Sequence, residues 1–373
     1  MLDLVVIGGG IMGLACAFEE SLRGKTVAVL DPNPIGQKAS WAAAGILAAR
    51  AGLIGTTPLR ELYLQSLYGY TDWLAHVESE SGMRVPFERS GDYQIFPLDN
   101  AESLVALRLR EKQLVREKAI RYSVADELPP FLREHSRIKA RVFHFPDEAY
   151  IHNRLLMQAL ANALRKRGAT ILEKCGSFSI QPAIQTGNTT EIKGGDWTLQ
   201  TRQVLIAAGA WCNEVLRPLG WSLPLSPVKG QLALLPNFHG KNSMIHCQDS
   251  FYLIPRGDQL ICGATTEPDV WEEGFDATGN SYLSHRLHSF FPKVKPDWSE
   301  SWSGLRPRAL DRLPLMGWVD EKSGIAICTG HYKTGISLAP VTARCISALL
   351  NHEKPPAKLK PFDPLRAEGL KRL

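Results

Sequence analysis

The most informative stretch of this sequence is Leu4-Val5-Val6-Ile7-Gly8-Gly9-Gly10-Ile11-Met12-Gly13. Its first four residues are apolar, as expected of a parallel strand that is buried on both faces. They lead directly into Gly8-x-Gly10-x-x-Gly13, in which the first glycine makes a tight turn and the second lets a pyrophosphate approach the backbone. The third glycine lets the next helix pack closely on the strand, and that helix offers N–H groups to the phosphates. The pattern therefore predicts a dinucleotide site.

The elements that follow strengthen this prediction. A helix that ends near residue 24 precedes a second apolar strand at 26–30, which stops at Asp31. An acidic residue at this position can hydrogen-bond a ribose hydroxyl of the dinucleotide. The glycine motif alone is weak, but here it stands inside a complete βαβ unit.

The composition excludes several classes of protein. The chain has 373 residues, of which 44% are hydrophobic and 22% are charged. These values argue against disorder, collagen and coiled coil. The formal net charge of +5 is spread along the chain and gives no footprint for nucleic acid. The 7 cysteines contain no CxxC pair, so we expect reduced thiols in the core.

Other patterns are missing from the sequence. No apolar run reaches the ~18 residues that a membrane helix needs, and a strand at residue 4 leaves no space for a signal peptide. We therefore expect a cytoplasmic protein that contacts neither membrane nor nucleic acid. No pattern typical of a metal site, a nucleophile triad or a P-loop is present.

Beyond the first unit the chain leaves the nucleotide-binding pattern and later returns to it. Residues 32–55 are predicted as a loop followed by a short helix. Further helices are predicted at 59–80, 99–119, 153–167 and 339–350, the second with Asp99 as its cap. Further strands are predicted at 91–96, 170–172, 204–208 and 324–328. Between 225 and 310, strands at 230–235, 251–254 and 259–263 predict an antiparallel sheet.

Because the chain returns to the nucleotide-binding pattern in later segments, we expect FAD rather than NAD, since FAD spans more protein. We predict an α/β fold in which a doubly wound, Rossmann-like FAD-binding domain is joined to a substrate domain with a mixed or antiparallel sheet. The FAD-binding domain is predicted to comprise residues 1–80, 147–222 and 304–365. The substrate-binding domain is predicted to comprise 81–146 and 223–303.

Several short motifs carry a resemblance over nearly the whole chain. They are the segment 5–13 above, Ser40-Trp41-Ala42-Ala43-Ala44-Gly45-Ile46-Leu47, Ala207-Ala208-Gly209-Ala210-Trp211, Pro227-Val228-Lys229-Gly230-Gln231, Gly304-Leu305-Arg306-Pro307 and Gly330-His331-Tyr332. With these motifs the chain resembles the D-amino-acid oxidase superfamily of FAD enzymes, and within it most resembles the glycine oxidases of thiamine (thiazole) biosynthesis.

The resemblance implies a non-covalent FAD and a set of residues that contact it. It implies that Asp31 meets the adenosine ribose, that Ser177 lies near the adenine, and that the flavin ring meets Ala44, Gly45, Ile46 and the loop 331–337. The pyrophosphate would meet Ile11, Met12, Ala39 and Ser40. The full predicted set is Gly8, Gly10, Ile11, Met12, Gly13, Asp31, Pro32, Ala39, Ser40, Ala44, Gly45, Ile46, Ser177, Ala208, Gly209, His331, Tyr332, Lys333, Thr334, Gly335 and Ile336. Covalent attachment through Cys328 or Cys345 stays open.

For the substrate, the resemblance implies that Arg306 and Tyr252 bind a carboxylate, with Ile46 nearby. A guanidinium fork matches a carboxylate bidentately and keeps its charge. The chain departs from the family at Lys333, where glycine oxidases have arginine in Gly-His-Tyr/Phe-Arg-Asn-Gly. Lys333 could attract the carboxylate as a point charge, contact a second acidic group, help the reaction with oxygen, or lie solvated in a loop.

The implied reaction is the oxidative deamination of glycine, a small N-substituted glycine or a D-amino acid. A hydride passes from the substrate Cα to flavin N5, the imine hydrolyses to an oxo acid, and O₂ reoxidises the flavin to give H₂O₂. No dedicated base is needed, so His331 and His246 are expected to be structural. Two alternatives stay open, a D-amino-acid dehydrogenase with another electron acceptor and an FAD-bound accessory protein of a biosynthetic pathway. The resemblance also implies a homo-oligomer.

Overall fold

The computed structural model describes residues 1–48, 57–115, 120–183, 189–236, 243–247, 251–366 and 371–372. Two large sheets dominate this part of the chain. The first has eight strands, and its parallel centre runs in the order Thr170–Glu173, Val27–Asp31, Leu2–Ile7, Thr198–Ile206, Ile325–Thr329. Leu315–Asp320 adds an antiparallel edge beyond Ile325–Thr329, and Thr190–Lys193 with Ser179–Gln181 adds another.

The centre of this sheet is a topological switch point. The chain continues from Leu2–Ile7 to a neighbour on one side, and Thr198–Ile206 lies on the other side. In doubly wound sheets a dinucleotide binds at the carboxyl ends of the strands where the order reverses. The glycine motif that follows Ile7 lies at this point.

Long helices cover this sheet. Ile11–Leu22 packs against Gly335–Leu350 and Asn153–Lys166, and the pair Pro58–Tyr68 and Tyr70–Ser81 packs on these helices in turn. Their apolar faces share one core with the sheet, which includes the fully buried Leu14, Phe18 and Leu160.

The second large sheet has nine strands. In the order of pairing they are Glu267–Pro268, Leu225–Leu235, Gln259–Gly263, Tyr252–Arg256, Met244–Cys247, Asp92–Pro97, Ala140–Phe145 and Ser123–Ala125, with Glu300–Ala309 also paired to Leu225–Leu235. All pairs are antiparallel except Met244–Cys247 with Asp92–Pro97. Helix Ala277–Phe290 covers one face, where Leu283 and Leu287 pack with Phe251. Helix Ala101–Val115 packs on Asp92–Pro97.

The remaining elements are short. Ile46–Leu47, Ala149–Ile151 and Phe87–Glu88 form a three-stranded sheet, and Trp221–Ser222 pairs with Lys371–Arg372. The short helices are Lys38–Ala42, Pro130–Arg133 and Cys212–Leu216, and the 3₁₀ turns are Gly209–Trp211, Arg217–Leu219 and Lys360–Phe362. No helix within the described ranges is long and apolar enough to span a membrane.

The structure corrects the predicted helix boundaries in the first half of the chain. The helix predicted at 59–80 is two helices that meet at Gly69. The helix predicted at 99–119 is described as Ala101–Val115, and its cap is Asn100 rather than Asp99, because the Asn100 side chain accepts the N–H of Ser103 at 3.1 Å. The end of that prediction, 116–119, lies outside the described residues, as does 49–55 of the predicted loop and helix.

The last long helix begins at Gly335, four residues before its predicted start, and contains Pro340. Proline has no N–H to donate to the carbonyl four residues earlier. The Tyr70 hydroxyl donates to that carbonyl, of Ile336, at 3.1 Å, and the Ser66 hydroxyl donates to the next one, of Ser337, at 2.6 Å. Hydroxyl groups from two other helices thus bind these carbonyls, which the sequence around Pro340 does not indicate.

The α/β fold class with mixed sheets is confirmed. The strands of the first sheet come from the segments assigned to FAD binding, and most strands of the second come from the other two. Glu300–Ala309 crosses the proposed boundary at 303/304. The division into two domains stays a prediction.

Candidate active site

A cavity of about 1540 Å³ extends between the two large sheets. This volume exceeds the roughly 300–1,000 Å³ of most small-molecule pockets. The residues that line one end, the dinucleotide end, are Ile7, Gly8, Gly10, Ile11, Met12, Asp31, Pro32, Asn33, Lys38, Ala39, Ser40, Gly176, Ser177, Phe178, Ser179, Ile180, Ala207, Ala208, Gly209, Ala210, Trp211, Glu214, Val215, Pro218 and Leu219. The residues that line the other, the substrate end, are Asp92, Gln94, Ile95, Phe96, Ala106, Arg110, Gly230, Leu232, His246, Cys247, Tyr252, Ala264, Gly304, Arg306, Pro307, Arg312, His331, Tyr332 and Lys333. Residues 42–46 and 334–336 lie in the wall as well. The cavity is therefore large enough for a dinucleotide together with a small substrate.

The glycine motif forms the wall at the dinucleotide end. Gly8 has φ +108°, and a Cβ there would lie 2.5 Å from the carbonyl oxygen of Ala207. A Cβ on Gly13 would lie 1.9 Å from the carbonyl oxygen of Gly8. Gly13 itself does not line the cavity, because it packs the helix against this turn. Its role is thus the close helix packing that the motif predicts for its third glycine.

Two side chains hold this backbone in place. The Asp31 carboxylate accepts the N–H groups of Gly9 and Asn33, each at 2.8 Å. The Ser40 hydroxyl accepts the N–H of Ile11 at 2.9 Å. Both residues also line the cavity, as do Pro32 and the predicted phosphate neighbours Met12 and Ala39. Contact of Asp31 with a ribose stays a prediction.

Ser177, the residue that is predicted to lie near the adenine, also lies at the cavity. The Cys175 N–H donates to the Asp31 carbonyl at 3.2 Å, which places the following Ser177 and Phe178 beside the second strand. Ser177 lines the cavity, and so do Ala208 and Gly209 from the end of strand Thr198–Ile206.

The flat segment 42–46 owes its shape to close backbone contacts. Gly45 has φ +80°, and a Cβ there would lie 1.9 Å from the carbonyl oxygen of Ile151. The Asn153 side chain donates to the carbonyls of Ser40 and Trp41 at 2.6 and 3.0 Å. Ala44, Gly45 and Ile46 all line the cavity. Sequence reasoning missed Asn153, whose only signal was its place at the start of a helix.

The loop before the last long helix forms another side of the cavity. His331 is buried, its Nε2 lies 3.2 Å from the Thr342 hydroxyl, and burial lowers its pKa to about 3. It is therefore neutral and has a structural position, although it lines the cavity with residues 332–336. The Tyr332 N–H donates to the Pro307 carbonyl at 2.8 Å, which ties the loop to the strand that carries Arg306.

Arg306 and Tyr252 meet at the substrate end, as predicted. The Arg306 guanidinium lies against Gly230, where a Cβ would be 2.0 Å from its Nη2, and it donates to the Thr265 carbonyl at 3.2 Å. The Tyr252 ring lies against Gly263 in the same way. Burial raises the pKa of Tyr252, although the neighbouring Arg306 opposes this shift. The hydroxyl is therefore protonated at neutral pH and can donate a hydrogen bond.

Lys333 completes a cluster of cations. Its side chain has accessible surface and lines the cavity. The surrounding protein nevertheless lowers its pKa to about 8, mainly by burial and then through the charges of Arg306 and Arg312. Arg312, which is exposed and was not predicted as a site residue, lines the cavity as well.

Four more polar residues at the substrate end were not predicted as site residues. They are Asp92, Gln94, Arg110 and His246, which we call the polar arm. His246 was expected to be structural, and its Nδ1 lies 2.6 Å from the carboxylate of the buried Asp92. The alternation Asp92-x-Gln94 on one strand was the only signal in the sequence.

These features fit FAD. A turn that excludes side chains at Gly8 and Gly13 stands at a helix N-terminus, a carboxylate lies beside it, and a flat alanine and glycine segment continues the wall.

Cys328 lines the cavity and Cys345 does not, and all 7 cysteines are free. Within the described residues no group of three or more His, Cys, Asp or Glu is placed to hold a metal ion. The fold and the cavity define a dinucleotide-binding protein.

Comparison with known proteins specifies the class. The model of the DAO family, described as FAD dependent oxidoreductase, matches residues 3–349, and the chain belongs to this family. It is an FAD-dependent oxidoreductase.

The chain is similar to glycine oxidase of Geobacillus kaustophilus, with 27% identity over 370 residues that cover 98% of this chain and 97% of that protein. The crystal structure of glycine oxidase from Geobacillus kaustophilus superposes with a TM-score of 0.88 at 26% identity, with 98% of each chain covered. The bifunctional protein ThiO/ThiG of Synechocystis is 32% identical over 375 residues, but the chain spans only 54% of its length.

Proposed function

We propose that this enzyme oxidises glycine, a small N-substituted glycine or a small D-amino acid, with O₂ as the electron acceptor. The observation that carries the proposal is the Arg306–Tyr252 pair in the wall of the cavity, with the guanidinium laid against Gly230. The similarity to glycine oxidases over 98% of the chain supports it. A homo-oligomeric state and a cytoplasmic location stay predictions.

The proposed substrate is held by its carboxylate. Arg306 offers two parallel N–H donors to the carboxylate, and the Tyr252 hydroxyl donates a further hydrogen bond. Lys333 adds a positive charge that does not depend on a fixed geometry. Because three groups hold one end of the substrate, the orientation of its amine-bearing carbon is restricted, which is the main contribution that this kind of protein makes to catalysis.

Bound FAD supplies the two-electron acceptor. The proposed net reaction converts the amino acid, water and O₂ into an oxo acid, ammonia or the corresponding amine, and H₂O₂. His331 is a poor proton acceptor for this substrate, because burial lowers its pKa to about 3 and its Nε2 lies 3.2 Å from the Thr342 hydroxyl. We infer that the substrate binds with a neutral amine, whose lone pair is then available as the carbon is oxidised.

The wall near this pair limits the size of the group beside the amine. Leu232, Ala264 and Ile46 line the cavity close to Tyr252, and all four belong to one apolar cluster. An apolar wall of this kind accepts hydrogen or a small alkyl group more readily than a charged one. This favours glycine and small N-alkyl glycines among monocarboxylic substrates.

The test is H₂O₂ release from the purified, FAD-loaded enzyme with glycine, sarcosine, N-ethylglycine, iminodiacetate, D-alanine and D-proline. Flavin absorbance is followed without oxygen in parallel. Peroxide from at least one of these compounds is the expected result. Bleaching without peroxide would show a dehydrogenase, and the absence of both signals with every compound would contradict the proposal.

A further inference from the structure

The polar arm is continuous with the carboxylate-binding pair. Tyr252 stands opposite His246 in the adjacent strand, and His246 stands opposite Gln94 in the next strand. Side chains at such positions project from the same face of a sheet. The rings of Tyr252 and His246 have centroids 5.7 Å apart. The cavity wall thus passes from Tyr252 into a second group of polar side chains.

Asp92 fixes the orientation of His246. The Asp92 side chain is fully buried, whereas 23% of the His246 side chain is accessible. Because Nδ1 of His246 lies 2.6 Å from the carboxylate, Nε2 is the ring nitrogen that is left for another partner. The contact also holds the Asp92 carboxylate against the ring of His246.

Arg110 brings a positive charge to the same arm. It lies on helix Ala101–Val115, which packs on the strand of Asp92 and Gln94, and it lines the cavity beside Ala106. Burial lowers the pKa of Arg110, and the charge of Asp92 opposes this shift. An arginine keeps its charge under such conditions. Among the described residues no carboxylate lies within ion-pair distance of Arg110.

The charges at the substrate end do not balance. The described lining there contains the cations Arg110, Arg306, Arg312 and Lys333 and one carboxylate, Asp92. A single substrate carboxylate at Arg306 neutralises part of this excess. Four cations beside one carboxylate make the electrostatic potential at this end positive, and a positive potential favours a ligand with more than one negative group.

We propose that the polar arm is a second binding subsite, which takes a distal acidic group of the substrate through Arg110 and His246. This rests on the proposed function, because Arg306 and Tyr252 hold the first carboxylate. The substrate class is thereby narrowed to an amino acid or N-substituted glycine whose side chain or N-substituent ends in a second carboxylate.

The test measures binding rather than turnover. Thiodiacetate and (methylthio)acetate lack an amine and differ by one carboxylate, and their dissociation constants for the FAD-loaded enzyme are read from the change in flavin absorbance. We expect thiodiacetate to bind about 10-fold or more tightly than (methylthio)acetate to the unaltered enzyme. Arg110→Gln should remove this advantage and leave the binding of (methylthio)acetate unchanged.

The chain offers a matched control on the same helix. Arg108 is exposed and does not line the cavity, so Arg108→Gln should keep the full advantage of thiodiacetate. Arg110→Lys keeps the charge and should keep part of the tighter binding of thiodiacetate. This variant therefore shows whether a substitution at this position disturbs folding in general. Equal binding of thiodiacetate and (methylthio)acetate by the unaltered enzyme would overturn the proposal of a second subsite.

Other outcomes separate the two proposals. If thiodiacetate binds more tightly but Lys333→Met rather than Arg110→Gln removes the advantage, the second carboxylate binds elsewhere and the assignment of the polar arm is wrong. If neither acid binds and no amino acid reduces the flavin, the proposed function itself fails. If amino acids reduce the flavin but both acids bind alike, the proposed function stands and only the subsite is lost.

Discussion

At the dinucleotide end of the cavity the wall is built around a glycine turn, whereas charged and hydroxyl side chains are concentrated at the substrate end. At the first end the turn is contiguous in the sequence, at residues 7–12, and the side chains of Asp31 and Ser40 hold its backbone. The second collects Asp92, Arg110, Tyr252, Arg306 and Lys333 from distant parts of the chain. We therefore expect the cofactor to be bound mainly through the shape of the backbone, and the substrate to be recognised by charged side chains.

This difference implies different responses to substitution. A change at the dinucleotide end should affect stability and FAD binding together, because the glycines there are also packed elements of the fold. A change at the substrate end should leave FAD bound and alter only ligand affinity. Four predictions follow from this contrast, beginning with the largest effect.

Gly13→Ala should have the largest effect. Its Cβ would lie 1.9 Å from the carbonyl oxygen of Gly8, so the helix must move away from the turn that is predicted to hold the cofactor. We expect a loss of about 3 kcal/mol or more in the free energy of unfolding, and loss of bound FAD. Urea unfolding and the ratio of flavin to protein absorbance measure the two effects. Gly195→Ala is the control, because nothing lies within 4 Å of a Cβ there.

Arg306→Met should leave FAD bound and impair substrate capture. The methionine retains part of the apolar stem but removes the guanidinium fork, which should cost about 2 to 5 kcal/mol in kcat/KM. Flavin content and steady-state kinetics with the best substrate check the two parts. Arg308→Met, on the same strand but outside the cavity lining, should change kcat/KM little. Near-normal kinetics for the first variant would remove Arg306 from the site.

Tyr252→Phe should have a smaller effect of the same kind. The ring can still pack on Gly263, and only the hydrogen bond to the carboxylate is lost. A hydrogen bond to a charged group contributes about 1.5 to 3 kcal/mol, so KM should rise roughly 10-fold or more. Tyr150→Phe serves as the control, because Tyr150 does not line the cavity. A Tyr252→Phe variant with unchanged KM and a lower kcat would indicate a role other than carboxylate binding.

The smallest effect should be a pH dependence that arises from Lys333. Its pKa of about 8 means that the ammonium is present below this pH and lost above it. The affinity for a carboxylate should therefore fall a few-fold between roughly pH 7 and pH 9. Methoxyacetate is a suitable ligand, since it has no amine that titrates in this range.

Lys333→Arg restores the residue that glycine oxidases have at this position and keeps its charge throughout the range. In this variant the affinity for methoxyacetate should not fall with pH, and in Lys333→Met it should be low and flat. A fall that persists in both variants would assign the pH dependence to another group, such as Tyr252 or the flavin.

The comparison of the two ends also explains which predictions held. The helix, the second strand and the glycine turn follow from local patterns, and the structure has them at Ile11–Leu22, Val27–Asp31 and Gly8. The residues predicted to contact FAD all line the cavity except Gly13. Their roles stay predictions, but their assembly into one wall was predictable because most lie at the ends of strands in one parallel sheet.

The substrate end was harder to predict. Arg306 and Tyr252 were predicted through a family resemblance. Asp92, Arg110 and His246 gave almost no signal, because each is an ordinary polar residue in an amphipathic element. They become a group only when two strands and a helix are packed together.

The sequence by itself determined the dinucleotide end, since the backbone turn that binds a pyrophosphate requires glycines at fixed spacing within one βαβ unit. It also determined the fold class, through the order of buried strands and amphipathic helices. Only the tertiary structure decided which charges share the substrate end, that Asp92 orients His246, and that Tyr70 replaces a bond lost at Pro340. The physical reason is that backbone shape depends on neighbours along the chain, whereas the meeting of side chains depends on strand register and helix packing across it.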